Sequence, residues 1–189
     1  MKNLLFLFQY ILRPRTVGAI MPSSRFLASK MLEDINFENA SVIVEYGPGT
    51  GIFTEQLLKK RLPNTKIILM EKNQEFYNHL INKFGHRKNL FIINDGAENI
   101  VKYLAELEVF NVDYVISGLP FASLPKRISK SILTSTKRVL NDEGKFITFQ
   151  YTQRKMSFIN HYFEKMHIKR EIRNFPPAYV LSCNNERSI

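Results

Sequence analysis

Residues 42–53, Val-Ile-Val-Glu-Tyr-Gly-Pro-Gly-Thr-Gly-Ile-Phe, constrain the fold more than any other stretch of the chain. A β-branched run ends in Glu45, glycines follow at alternate positions (Gly47, Gly49 and Gly51), and helix-forming sequence begins at once. A parallel strand buried on both faces reads as a continuous apolar run of this kind. Glycines just beyond it let the backbone approach a ligand that a Cβ would hold off. A loop so placed sits where open α/β sheets bind ligands, at the carboxyl end of a strand. The dinucleotide fingerprint G-x-G-x-x-G needs its third glycine at position 52, which is isoleucine here. An acid before the loop also opposes a pyrophosphate. A nucleoside ligand without phosphates suits the loop better, with Glu45 attracting an ammonium group.

Two more apolar runs end in acids. Lys66–Met70 leads into Glu71, and Leu90–Ile93 into Asn94-Asp95-Gly96-Ala97. An acid at the tip of a second strand can accept both hydroxyls of a ribose. Taken singly, each acid reads more readily as a helix N-cap or a solvated loop residue. Three of them at successive strand ends point to a shared site.

The rest of the chain alternates helix and strand patterns, which predicts one α/β domain around a parallel sheet. Ser23 or Ser24 caps a helix through Asp34 with Phe26, Leu27, Met31 and Leu32 as its apolar stripe. Strands are expected at 41–46, 66–71, 90–93, 113–116 and 145–151. Helices are expected at 52–61, from Asn73 to Gly85, at 97–107, at 124–140 and at 153–165. In the helix over 124–140, Ile128, Ile132 and Val139 face inward and Lys126, Arg127, Lys130, Lys137 and Arg138 outward. Runs at 167–173 and 178–183 flank Pro176-Pro177 and predict a closing hairpin.

A single cysteine, Cys183, leaves no internal disulfide, and four scattered histidines show no zinc spacing, so no metal site is expected. A net charge of +10 calls for an anionic partner, nucleic acid or a membrane surface, between which composition does not choose. Residues 2–12 form an apolar, Phe-rich segment between Lys2 and Arg13, too short to span a bilayer. Its likeness to a secretory signal is set aside because Arg13-Pro14-Arg15 interrupts the approach to a cleavage site. The chain thus divides into an amphipathic helix and loop over 1–22 and a main domain over 23–189.

The Glu45–Gly51 loop with Glu71 and Asp95 resembles the class I methyltransferases that use S-adenosylmethionine. That resemblance implies a Rossmann-like, seven-stranded α/β sheet with only the last strand antiparallel. It implies cofactor contacts from Ser23, Ser24, Glu45, Gly47, Gly49, Gly51, Glu71, Asp95, Gly96, Ala97 and Ser117, with Asp95 receiving the adenine amine. The strand-4 loop, Ser117-Gly118-Leu119-Pro120-Phe121, narrows the class. Enzymes that methylate the exocyclic amine of adenine carry Asn-Leu-Pro-Tyr there, and Gly118 stands where that asparagine would be. With Val17–Ser24 and Asn174–Ala178, the loop resembles the bacterial phospholipid N-methyltransferases, which convert phosphatidylethanolamine stepwise to phosphatidylcholine. Tyr179-Val180 departs from the valine-tryptophan pair expected in that family.

The implied acceptor is a lipid amine, and the implied setting is cytoplasmic and peripheral to an anionic membrane. Residues 2–12 would lie in the headgroup interface, close the site as a lid, or do both. Tyr10, Tyr46, Tyr151 and Tyr179 are unranked candidates to take or relay the amine's proton. The ring of Phe121 is a candidate to hold a methylated ammonium by cation–π attraction. Methylation of adenine in ribosomal RNA is the alternative. Those enzymes append a helical domain after the sheet, whereas the last predicted strand here ends at residue 183 of 189. A non-catalytic cofactor-binding module on membranes is the third reading.

Overall fold

The computed structural model describes residues 23–153, 156–174 and 176–185, so the predicted helix over 2–12, with Tyr10, lies outside the described residues. The elements in chain order are α1 (Ser23–Met31), β1 (Val42–Tyr46), α2 (Ile52–Lys60), β2 (Lys66–Met70), α3 (Gln74–Phe84) and β3 (Leu90–Ile93). A 3-10 turn (Ala97–Asn99) leads into α4 (Ile100–Glu106), then β4 (Val112–Ser117), α5 (Lys126–Val139), β5 (Leu140–Gln150), α6 (Met156–Asn160), β6 (Lys165–Glu171) and β7 (Ala178–Asn184).

The strands form one seven-stranded sheet in the order β3-β2-β1-β4-β5-β7-β6. β7 alone runs antiparallel, inserted between β5 and β6. This is the expected sheet. Side chains alternate between two buried layers. Val42, Val44 and Tyr46 join Ile68, Met70, Val115 and Phe146 under α4, α5 and α6. Ile43 joins Ile67, Leu69, Ile116, Ile147 and Phe149 under α1 and its neighbours. Coverage on both faces is why these strands read as unbroken apolar runs.

Helix ends follow local chemistry. Asn73 Oδ1 accepts the amides of Glu75 and Phe76 at 2.9 and 3.0 Å, capping α3. Gly85 closes the helix with right-handed geometry (φ −58°), and the reversal into β3 falls to Asn89 (φ 55°). In α1, Leu27, Met31 and Leu32 are buried as expected, but Phe26 is 39% exposed and lies under the Arg173 guanidinium, 4.6 Å from its ring centroid.

The region after β5 departs most from expectation. α6 ends at Asn160, and the chain turns through 161–164 into β6, which starts at Lys165. Seven residue pairs between β6 and β7 give Lys165–Glu171 a ladder that outweighs its mixed pattern. Phe163 is drawn inward, stacked on Phe146 with centroids 5.4 Å apart. β5 also begins at Leu140, earlier than expected, because Leu140 pairs with Val112 across a shift in register.

Candidate active site at the carboxyl edge of the sheet

The strand ends β1, β2 and β4 meet at adjacent register positions, with Tyr46 opposite Met70 on one side and Ser117 on the other. The loop after β1 takes positive φ at Gly47 (63°), Gly49 (56°) and Gly51 (81°), which side chains rarely adopt. Two backbone bonds tie it to its neighbours: the Gly47 amide donates to the Met70 carbonyl and the Gly118 amide to that of Tyr46, both at 2.9 Å. Gly47 and Thr50 are its half-buried positions.

Glu45 lies wholly buried beneath this loop. Its Oε2 accepts the Thr54 hydroxyl at 2.7 Å, while Oε1 has no hydrogen-bond partner among the described residues. Burial pushes its carboxyl up to about 8, against the Thr54 bond and with help from the charge of Glu71. Glu45 is sealed beneath the loop rather than presented at the surface.

Glu71 is buried at the tip of β2. It binds the chain to itself, accepting the Gly49 amide at 3.0 Å and the Asn73 amide at 2.8 Å. Burial raises its carboxyl above the ordinary value, opposed by these backbone bonds.

Asp95 is more fully engaged. Oδ1 accepts the Gly96 amide at 2.6 Å and the Asn99 side-chain amide at 3.0 Å. Oδ2 accepts that same Asn99 amide at 3.0 Å and the Tyr103 hydroxyl at 2.9 Å. Burial pushes the carboxyl up, but these donors together outweigh it and hold Asp95 below the usual range. A carboxylate has about four lone-pair positions, and the protein's own groups occupy them. Gly96 and Ala97 are buried beside it.

The strand-4 loop is packed backbone to backbone against the first. A Cβ on Gly118 would stand 2.8 Å from the Gly47 carbonyl oxygen, and one on Gly47 would stand 2.7 Å from Leu119 Cδ2. Ser117 is buried, its hydroxyl accepting the Leu119 amide at 3.2 Å.

Two predicted site residues lie elsewhere. Tyr46 is fully buried on the face opposite Glu45, its hydroxyl 3.3 Å from Thr136 Oγ1, and alternation along β1 put it there. Phe121 is fully buried too, edge-on to Phe146 at 5.9 Å. Neither is exposed at the carboxyl edge, which corrects both readings. Tyr151 and Tyr179 do sit at the carboxyl edge, half-buried. Burial raises the Tyr151 hydroxyl, against a bond with Asn174. Arg170 lies over the Tyr179 ring at 5.8 Å. Ser23 and Ser24 open α1, and their side chains lie outside the described ones.

The structure adds residues that sequence reading passed over. Thr54 serves Glu45 from nine positions on, while Asn99 and Tyr103 serve Asp95 from four and eight. The spacing of four and eight along a helix was the available signal. Phe53, Phe149 and Tyr151 form an edge-to-face row, with centroids 6.1 and 5.5 Å apart. Gln150 Nε2 and Thr152 Oγ1, on the same stretch of chain, are buried without partners among the described residues.

Residues 22–169 match the family model described as ribosomal RNA adenine dimethylase. The chain is 29% identical over 182 residues to an ornithine lipid N-methyltransferase of Singulisphaera acidiphila, covering 95% of this chain and 94% of that protein. It is 35% identical over 106 residues to ribosomal RNA small subunit methyltransferase A of Borreliella burgdorferi, covering 56% of this chain and 35% of that enzyme. Its fold is similar to that of N-methyltransferase NodS from Bradyrhizobium japonicum, solved with S-adenosyl-L-homocysteine, at a TM-score of 0.70 and 10% identity, covering 92% of each chain.

Proposed function

This chain belongs to the ribosomal RNA adenine dimethylase family, among the class I S-adenosylmethionine-dependent methyltransferases, and we propose that it methylates the amine of a lipid headgroup. Gly118 carries the proposal. With the Gly47 carbonyl 2.8 Å from where its Cβ would stand, the strand-4 loop has no room for an asparagine that would receive an adenine amine. A site that reads a base by such a bond loses roughly 1–3 kcal/mol without it. Likeness over nearly the full length of a lipid N-methyltransferase supports the same reading. Phosphatidylethanolamine is the acceptor we propose. The ornithine lipid named for the relative shares its chemistry, a primary alkylamine beside an anion.

The residues present fit the cofactor. A loop held open by three glycines of positive φ lies over a buried carboxyl with one unpaired oxygen, an arrangement that a positive centre above it would stabilise. Glu45, Gly47, Gly49, Gly51, Glu71, Asp95, Gly96, Ala97 and Ser117 would hold it. When bound, S-adenosylmethionine supplies an electrophilic methyl group on a sulfonium. The chain's part is to align the amine, exclude water and accept the amine's proton. Tyr151 and Tyr179 flank that edge, and the Tyr151 hydroxyl, kept neutral by burial, accepts a hydrogen bond from the ammonium and relays its proton outward.

Methylation of RNA is the second reading, favoured by the family's own description and by the ribosomal RNA relatives. A labelled-methyl assay offering phosphatidylethanolamine vesicles, ornithine-lipid vesicles and unmodified ribosomal RNA separates them. Label in either lipid is the expected result, and label in RNA alone overturns the proposal.

A further inference from the structure

Helix α5 carries five cations and no acid, against a net charge of +10 for the whole chain. Lys126, Lys130 and Lys137 fall at i, i+4 and i+11, within roughly 40° of one another around a helix of 3.6 residues per turn. Together with Phe158, His161 and Tyr162, from α6 and the turn after it, they line an open groove of about 490 Å³. Among the described residues, no acid pairs with these three lysines. Like charges one turn apart destabilise a helix. Folding does not need them, since Ser129, Ile132, Leu133, Thr136 and Val139 already bury the adjoining face.

We propose that this groove binds the phosphate headgroups of anionic phospholipids, so that the folded domain itself rests on the membrane. The inference builds on the lipid reading above and gives it a surface distinct from residues 2–12. The aromatic residues distinguish lipid from RNA. Phe158 meets Tyr162 edge to face at 5.5 Å, and His161 stands at 90° to the Tyr162 ring, 5.8 Å away. These rings engage one another rather than offering open faces to stack on bases, as single-strand binders do. Half-buried rings such as Phe158 and Tyr162, one with a polar tip, suit the headgroup layer. Lys126 also follows directly on the loop over 117–125, so a bilayer seated on the stripe lies alongside the proposed reaction site.

Co-sedimentation of the full chain with phosphatidylcholine vesicles containing phosphatidylglycerol tests this. Lys126→Gln with Lys130→Gln removes two charges from the groove. Arg87→Gln with Lys88→Gln removes two exposed charges elsewhere. The groove pair is expected to lose about thirtyfold in partitioning, from the strength of a single cation near an anionic surface, and the control pair less than threefold. Lys137→Gln alone should lose about fivefold, which keeps the test open if the double variant melts early. Equal losses in both pairs, or none in the groove variants, overturn the proposal. So does a groove variant that loses a single-stranded oligoribonucleotide but keeps the vesicles. Methyl transfer by the parent to phosphatidylethanolamine in neutral micelles tests the site reading separately. Its absence beside intact vesicle binding breaks that reading and leaves this one standing.

Discussion

The two edges of the sheet are built on opposite terms. At the amino edge Asp113 Oδ2 accepts the Ser41 and Val42 amides at 2.8 and 2.9 Å, and Oδ1 accepts the Asn141 side chain at 2.7 Å. The Arg61 guanidinium gathers the carbonyls of Thr65, Asn89 and Lys88. The unpaired buried atoms at this edge are neutral amide oxygens, of Asn141 and Asn185, whose nitrogens are bonded. At the carboxyl edge a carboxyl oxygen of Glu45 is left over, as are Gln150 Nε2 at the end of β5 and Thr152 Oγ1 just after it. The unpaired charged-type oxygen and the three left-handed glycines lie at the carboxyl edge, whereas the left-handed residues of the amino edge, Asn89 and Glu108, serve turns into β3 and β4. One edge ties the sheet together through its own side chains, and the other leaves a buried carboxyl oxygen without a partner among the described residues.

The largest expected effect breaks the amino edge. Asp113→Ala strands two amides and should cost about 3 kcal/mol, lowering Tm by roughly 6–12 °C in a chain of this size. Cofactor affinity, read by calorimetry below the transition, should hold within twofold, and a parallel loss would mean the edges are not independent.

Next in size is Gly118→Asn. Its side chain meets the Gly47 carbonyl, so the two loops have to shift. Methylation of lipid should fall roughly a hundredfold, about 2.7 kcal/mol in barrier height, with a lowered melting temperature, and activity is read on the fraction that remains folded. A gain on RNA would favour the alternative acceptor.

Glu45 sharpens the comparison through pH. Its carboxyl titrates near 8 in the folded chain and near 4.3 unfolded, so between those values the folded state binds the extra proton. Stability therefore falls as pH rises through that window and levels off above it. From pH 5 to pH 7 the loss should be about 2.5 kcal/mol. Glu45→Gln should flatten the profile while weakening the cofactor. A parent profile already flat between pH 5 and pH 7 would show that Glu45 is ionised in the free protein.

The smallest effect belongs to Asn99→Ala. Freeing both Asp95 oxygens of one donor should tighten cofactor binding about threefold, on the order of 0.6 kcal/mol. Weaker binding would show that Asn99 positions Asp95 rather than competing for it.

Much of this was legible in residue order. β1 and β2 are covered on both sides, so their apolar runs marked the sheet, and Glu45, Glu71 and Asp95 marked the edge proposed for the site. The helix–strand border near Lys165 was not legible, because β6 depends on a partner strand that comes later in the chain. Nor was the place of Phe121. An aromatic after Leu-Pro reads alike in a cleft and in a core, and Phe146, 25 residues on, decides which. Asp95 was read from the sequence as a site candidate, but its engagement by Asn99 and Tyr103 depends on how the chain turns into α4.

The contact between Gly47 and Gly118 has a consequence for heredity. The loop expected to hold the cofactor and the loop expected to meet the acceptor touch here, so a side chain at 118 requires the Gly47 carbonyl to move and one at 47 requires the Leu119 side chain to give way. A lineage passing between acceptors has to change both together, through intermediates poor at either task. Libraries that randomise one loop at a time will sample only that barren ground, and productive ones will vary positions 47 and 118 as a pair.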